Sequence, residues 1–322
     1  MEMKRRSIPW LTKNAGEEPL LPWTLKIALA VLILLEIIAP FTNDISGVDA
    51  GNHLSWIHQF HSLLSQGVYI PRWLPKPFYG FGATTFYFYP PLTYYLASFL
   101  SALTGITNAG LLFQATGLVA TIASFFTALF LLRSLNATVN RSILGSAMYA
   151  FAPYRIAELY SMSSLSSQVA YIFIPLVCSG LLQLASTETS KQTRGMILLA
   201  ISSSLLILTN IPITILITIS ILIAVLAFAN KITTGILWRV IIAVFLTVCL
   251  SGFFLASILE FKGQIHLVHL TNLREYFFDD LIHRRNIPGL YHLAILYAAI
   301  IAILFGYWHD KEKTRSVTIV GA

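Results

Sequence analysis

The stretch AGLLFQATGLVATIASFFTALFLL, residues 109–132, runs for 24 residues without a charged side chain. Wound as an α-helix it reaches about 36 Å at 1.5 Å per residue, enough to cross roughly 30 Å of hydrocarbon. Its polar members, Gln114, Thr116, Thr121, Ser124 and Thr127, can be satisfied by the helix's own carbonyls or by a neighbouring helix. Further apolar stretches lie outward from it at 23–41, 143–152, 169–184, 196–208, 211–229, 236–259 and 290–308. This pattern predicts an all-α fold, a polytopic transmembrane helical bundle of about eight spans. No run shows the short alternating strands of a membrane barrel.

Composition agrees. Hydrophobic residues make up 56% of the 322 and charged residues 11%, against roughly 25% charged in a soluble domain. Segment 23–41 is too long for a signal-peptide core and has no small-residue cleavage site, so it is expected to remain as an anchor. Cys178 and Cys249 both fall in apolar spans, where small packing residues are expected rather than a disulfide or metal site. The net charge of +7 is scattered through short loops. That distribution serves topology and excludes a nucleic-acid partner.

Piece 92–103 decides the orientation. Left outside the bilayer core, as an interfacial or re-entrant helix, it puts 14 of the 21 lysines and arginines on the cytoplasmic side, Arg133, Arg141, Lys191, Arg194, Lys231 and Arg239 among them. Made to cross, it would send those six outward, against the positive-inside rule. The expected organisation is a cytoplasmic segment 1–22, one transmembrane domain 23–308 and a cytoplasmic tail 309–322. Outward loops are expected at 42–108, 153–168 and 260–289.

The first outward loop carries most of the chemistry-bearing residues. Asp44 and Asp49 stand five apart just beyond the first span, with Gly47 and Gly51 between and beside them. From His53 the pattern turns helical: His53, Trp56, Ile57, Phe60, Leu63 and Leu64 form one face, and Ser55, Gln59, Ser62 and Gln66 the other. Such a helix would lie on the membrane surface with Asp49 and His53 at its start, facing the spans. Between Phe78 and Tyr95 nine of 18 residues are aromatic, and five of the chain's 13 prolines fall from Pro71 to Pro91. A stiff loop at headgroup level follows, whose aromatics form either an interfacial belt or a binding surface. Asp49 taken alone would be a solvated acid or a helix cap. Beside apolar surface its proton affinity would rise, suiting it to take a proton from a hydroxyl or to hold a divalent cation.

Other groups are weighed in the same way. Tyr154, Arg155 and Glu158 fall together in the second outward loop, where an exposed ion pair would contribute little. Arg72 and Arg155 suit a phosphate, since guanidinium meets it bidentately. His58 and His61 are spaced for one helix face, but no cysteine or carboxylate completes a metal site. Glu36, inside the first span, should face the bundle. The mixed charges of 274–286 suit a solvated face or a mobile cover.

Together, an acid followed by His53-Leu54, Gly67, Pro71-Arg72-Trp73, Phe78-Tyr79-Gly80-Phe81-Gly82 and Phe86-Tyr87-Phe88-Tyr89-Pro90-Pro91 with Tyr94-Tyr95 resembles bacterial membrane proteins labelled 6-pyruvoyl-tetrahydropterin synthase-related. Those in turn are similar to the GT-C glycosyltransferase superfamily. The likeness continues through Asn140-Arg141, 149–155, Leu159-Tyr160 and Leu208-Thr209-Asn210-Ile211-Pro212, covering most of the chain; Asn210 stands where relatives carry histidine. It implies no pterin chemistry. It implies a GT-C-like bundle in a bacterial cytoplasmic (inner) membrane, both termini cytoplasmic, acting on the outer face. The expected activity is transfer of a sugar from a polyprenyl-phosphate donor to an envelope glycan, lipid or protein acceptor, with membrane lipid as surroundings. Asp49 matches the first-loop acid, base or divalent-cation neighbour, and Glu158 is the candidate second acid. Asp44, His53, Arg72, Tyr89, Tyr94, Tyr95, Tyr154 and Arg155 are the expected substrate-binding residues. Because relatives are usually longer, a membrane-protein partner would supply the elements following Trp308. The alternative is a non-catalytic lipid-binding or assembly subunit for polysaccharide export.

Overall fold

A computed structural model describes residues 45–227 and 233–264. Within them the chain is helical, and β-pairing is limited to one isolated bridge, Leu74 with Ala83. The first outward loop contains α1 (Ala50–Ser65), a short α2 (Thr85–Phe88) and α3 (Leu92–Thr104). Then follow α4 (Ala109–Ser134), α5 (Val139–Ala150), α6 (Pro153–Ala157), a π-helical turn (Glu158–Met162), α7 (Leu165–Ala170) and α8 (Ile174–Leu184). Helices α9 (Thr189–Ile207), α10 (Ile211–Ala227) and α11 (Thr234–Phe261) complete the described part.

Local chemistry sets these boundaries. Asn108 caps α4 by accepting from the Leu111 N–H at 3.0 Å, and Asn210 does the same for α10 through Ile213 at 3.0 Å. Gly105 ends α3 in the left-handed region at φ 74°, which glycine adopts without steric cost. Pro153 and Pro175 sit in the first turns of α6 and α8, where the missing N–H is not needed.

Three helical stretches are long and apolar enough to cross a membrane: Ala109–Ser134, Leu165–Leu184 and Thr234–Phe261. By length and composition, then, this is a membrane protein. The expected spans 23–41 and 290–308 lie outside the described residues, as do Glu36, Asp44 and 274–286. The expected span 143–152 sits in α5, whose 12 residues reach about 18 Å. That is too short to cross unaided. The stretch 196–208 belongs to α9, whose first turns carry Lys191 and Arg194, and 211–229 overlaps α10, a 17-residue helix. Neither is among the three. Helix α3, 13 residues and about 20 Å long, is likewise shorter than the hydrocarbon thickness.

Helix α4 is the shared wall, touching α1, α3, α5, α7 and α8. Beside it α8 packs against α9 at a backbone-to-backbone crossing. A Cβ added at Gly180 would lie 2.8 Å from Leu199 N, and one at Gly195 2.7 Å from Gln183 Cβ. Small residues let transmembrane helices approach this closely. Around the crossing Val177, Leu184, Leu199, Ala200, Leu206 and Ala243 form one apolar core. Buried hydroxyls on the helices, such as Ser124, Ser146, Ser179 and Thr247, donate to carbonyls four residues earlier at 2.6–2.8 Å. They leave no polar cost in the bilayer.

A second core gathers at one end of the bundle: Ile57, Phe60, Leu74, Phe86, Tyr94, Leu112, Phe113, Leu159 and Leu165. It fastens the first-loop helices to α4 and to the segment 159–165. The same end holds the Leu92 N–H bond to Leu208 O at 2.9 Å and the Tyr87 ring against Phe261 at 5.1 Å. Segment 153–168, the expected second outward loop, is folded into α6, the π turn and the first residues of α7, and all six residues of α7 are buried. Gln59 also differs from expectation. Placed on the polar face of α1, it is buried, because its Oε1 accepts from the Lys76 N–H at 2.9 Å and its Nε2 donates to Ser55 Oγ at 2.8 Å. The loop 72–76 closes over it. Cys178 is half-buried but Cys249 is exposed on α11, so only the former fits the expected packing role.

Candidate functional site

Three consecutive residues dock the start of the first loop onto the end of the π turn. The Gly47 N–H donates to Ser163 Oγ at 3.2 Å, Val48 N–H to Ser161 O at 3.3 Å and Asp49 N–H to Met162 O at 2.9 Å. A side chain at Gly47 would put a Cβ 2.6 Å from Ser163 N, so the close approach needs glycine. Docking fixes Asp49 immediately before α1, where its carbonyl accepts the His53 N–H at 3.0 Å.

The Asp49 side chain does not cap the helix, contrary to the simplest reading of its position. Among the described residues no hydrogen bond or ion pair reaches its carboxylate. Partial burial raises its pKa above the ordinary aspartate value. A carboxylate in that condition is a better base than a solvated one.

One turn on, His53 is 1% exposed and its Nδ1 is hydrogen bonded to Tyr94 Oη at 2.7 Å. Its ring lies among Trp56 (5.7 Å), Tyr89 (6.3 Å), Tyr94 (6.0 Å, stacked) and Phe113 (6.1 Å). Burial among these rings lowers its pKa to about 4, so the imidazole is neutral at physiological pH. Tyr89 reaches the other way, bonding Ser166 Oγ at 2.7 Å. Both phenols are held un-ionised, first by burial and also by the negative charge of Asp49. Asp49, His53, Tyr89 and Tyr94 therefore form one constellation.

Glu158, Tyr154 and Arg155 form another. Glu158 accepts from Tyr154 Oη at 3.2 Å and from Tyr171 Oη at 2.6 Å, so both carboxylate oxygens are occupied. Arg155 is not the exposed partner of Glu158 that its position suggested. It is 4% exposed. Its guanidinium lies over Tyr171 (4.6 Å) and Tyr149 (5.4 Å) and donates to Ser124 Oγ, Gln168 Oε1 and Tyr149 O. Aromatic faces and neutral acceptors thus surround the buried charge. Helix α7 links the two constellations, carrying Ser166 toward Tyr89 and Gln168 toward Arg155.

Arg72 and Tyr95 sit apart from both. Arg72 donates to Phe253 O of α11 at 2.9 Å and lies 5.6 Å from the Tyr87 ring, and Tyr95 donates to Tyr69 O at 2.6 Å. The positive charge of Arg72 partly offsets the upward effect of burial on Tyr95. His58 Nε2 faces Lys76 Nζ at 3.2 Å, and His61 Nε2 faces Ser101 Oγ at 3.3 Å. Since Ser101 donates its proton to Ile106 O at 2.6 Å, His61 Nε2 must be the donor in that pair. Among the described residues no three His, Cys, Asp or Glu side chains come together to hold a metal ion.

Sequence reasoning missed Ser163, Ser166, Gln168 and Tyr171. The run Ser163-Ser164-Leu165-Ser166-Ser167-Gln168 is the signal that pointed to them: five polar residues entering an apolar span need buried partners. Asn210, where the resemblance expects histidine, caps α10 and donates to Ser167 Oγ at 3.2 Å. Comparison with protein families, with curated proteins and with solved structures finds no match to this chain.

Proposed function

We propose that the chain is a GT-C-like membrane glycosyltransferase that moves a sugar from a polyprenyl-phosphate donor to a hydroxyl acceptor. The carrying observation is the half-buried Asp49 carboxylate, which stands at the head of α1 yet caps nothing. In the step, the acceptor oxygen bonds to the anomeric carbon as the bond to the phosphate oxygen breaks. The phosphate leaves with the electron pair, and the acceptor proton passes to Asp49. Tyr89, kept neutral and only partly buried, retains a proton that can be shared with a sugar hydroxyl, while the fully buried Tyr94 holds His53 in place. Arg72 is better placed than the buried, multiply bonded Arg155 to meet a phosphate. Glu158, held by two phenols, serves as a positioning residue for α6 and α7. The site-bearing end then faces outward, in an eight-span bundle of a bacterial cytoplasmic membrane with both termini inside and a membrane-protein partner.

Asp49→Asn is expected to lower transfer by roughly 100-fold or more, the usual loss on removing a general base. Membranes carrying the full chain would be supplied with a panel of radiolabelled polyprenyl-phosphate hexoses and extracted for labelled acceptor. The same variant should raise the thermal midpoint at pH 7. A carboxyl whose folded pKa is elevated opposes folding once ionised, and the amide removes that cost. Undiminished transfer by Asp49→Asn would overturn the proposal and favour the assembly-subunit alternative.

A further inference from the structure

The aromatic residues of the first loop divide into two populations. Trp56, Phe60, Phe86, Tyr89 and Tyr94 pack against one another, with ring centroids 4.7–6.1 Å apart. Phe78, Tyr79 and Phe81 instead stand out at 72%, 105% and 83% exposure. Nothing in the site described above uses these three.

Their outward direction is built in. Phe78 and Tyr79 are consecutive residues in the left-handed region, at φ 54° and 59°, a conformation that bulky L-residues adopt only when the surroundings impose it. Those surroundings are a clamp. Leu74 and Ala83 exchange two backbone bonds of 2.8 Å, Gly82 N–H donates to Pro77 O at 2.9 Å, and Lys76 N–H is tied to Gln59 of α1. Trp73 fills the space over Gly82, with its indole 2.5 Å from where a Cβ would be. A rigid frame thus presents three rings that have no partner among the described residues.

The base of this frame lies against a candidate span. Arg72 donates to Phe253 O, and Tyr87 packs on Phe261, the last residue of α11. These two points are eight residues apart, about 12 Å along a helix about 42 Å long. They cover the last two and a half turns of α11, and the one at its end, Phe261, lies where such a helix leaves roughly 30 Å of hydrocarbon for the headgroups. The tip is four residues from the Leu74–Ala83 bridge and reaches no more than about 14 Å from it. Aromatic side chains prefer that boundary, and the exposed Lys76 beside the tip is a cation for lipid phosphates.

We propose that tip 78–81 is a lipid anchor that inserts Phe78, Tyr79 and Phe81 into the headgroup region of the bilayer and fixes the first loop, with Asp49, against the membrane surface. The anchor stands independently of glycosyl transfer. Its test uses the full chain with both native cysteines replaced by alanine, a nitroxide at Tyr79→Cys, and liposomes of phosphatidylcholine and phosphatidylglycerol. Power-saturation measurements then compare collisions with oxygen and with a water-soluble nickel chelate. Oxygen collisions severalfold above nickel support the anchor. Dominant nickel collisions mean that the tip stands in water, and weak collisions with both reagents mean that protein covers it; either result overturns the proposal. Phe81→Cys gives the same reading at a second position should Tyr79→Cys fail to reconstitute.

Discussion

At the scale of single residues, the site turns on how burial treats unlike groups within one helical turn. Asp49, immediately before α1, and His53, in its first turn, are four apart, and burial shifts them in opposite directions, the acid upward and the imidazole downward. Both shifts favour the neutral form. The consequence for His53 is a defined acid sensitivity. Its folded value, about 4, lies below its ordinary 6.5. The unfolded chain therefore takes up a proton before the folded one does, and stability falls as pH drops from about 6.5 toward 4. The full loss is on the order of 3 kcal/mol, from about 1.4 kcal/mol per pKa unit. Thermal midpoints of the detergent-solubilised protein across that range should fall accordingly. His53→Gln, which has no proton to gain, should start lower for lack of the fitted ring and show a shallower slope; an equal slope would remove His53 as the cause.

At the scale of elements, glycine decides where backbones meet. Gly47 admits the first loop to Ser163, and Gly180 and Gly195 admit α8 to α9. Gly252 on α11 has nothing within 4 Å of the place its Cβ would occupy. The same substitution should therefore have opposite effects at two helical sites. Gly180→Ala is expected to cost roughly 1–3 kcal/mol by forcing α8 and α9 apart. Gly252→Ala should be neutral or gain up to about 1 kcal/mol from helix propensity. Parallel thermal unfolding of the two variants checks this, and a loss at Gly252 matching that at Gly180 would contradict the close crossing. The short α7 belongs at this scale as well. Its six buried residues connect the Tyr89 and Arg155 surroundings, so the two candidate acids sit on one continuous framework.

At the scale of the whole molecule, the helices sort polar contacts to one end. Residues 47–49, 158–168, 208–210 and the last turns of α11 meet there. Arg133 and the Lys191–Glu188 pair lie at turns a helix length away. The expected result is two-sided labelling. In the cysteine-free chain, Gln66→Cys should react with an impermeant maleimide from the opposite side of sealed vesicles to Leu135→Cys and Thr187→Cys. Reaction of all three from one side would refute this arrangement. Much of it is legible in the sequence: an uncharged run such as 109–132 has no stable state but a helix buried in lipid or protein, and charge placement sorts its ends. The caps Asn108 and Asn210 and the helical face of His53, Ile57 and Phe60 are local properties too. The tertiary structure alone decided that Asp49 caps nothing, that Arg155 is buried and stacks on tyrosines, and that Gln59 lies under a loop. It also separated the first-loop aromatics into packed and outward sets. Such outcomes depend on which residues from distant parts of the chain arrive at the same place, and helical periodicity carries no information about that. By itself the sequence determined an apolar helical protein with an acid at the head of an amphipathic helix. Packing then determined which charged groups keep an open valence for chemistry, because burial stabilises a polar atom only once a particular partner has reached it.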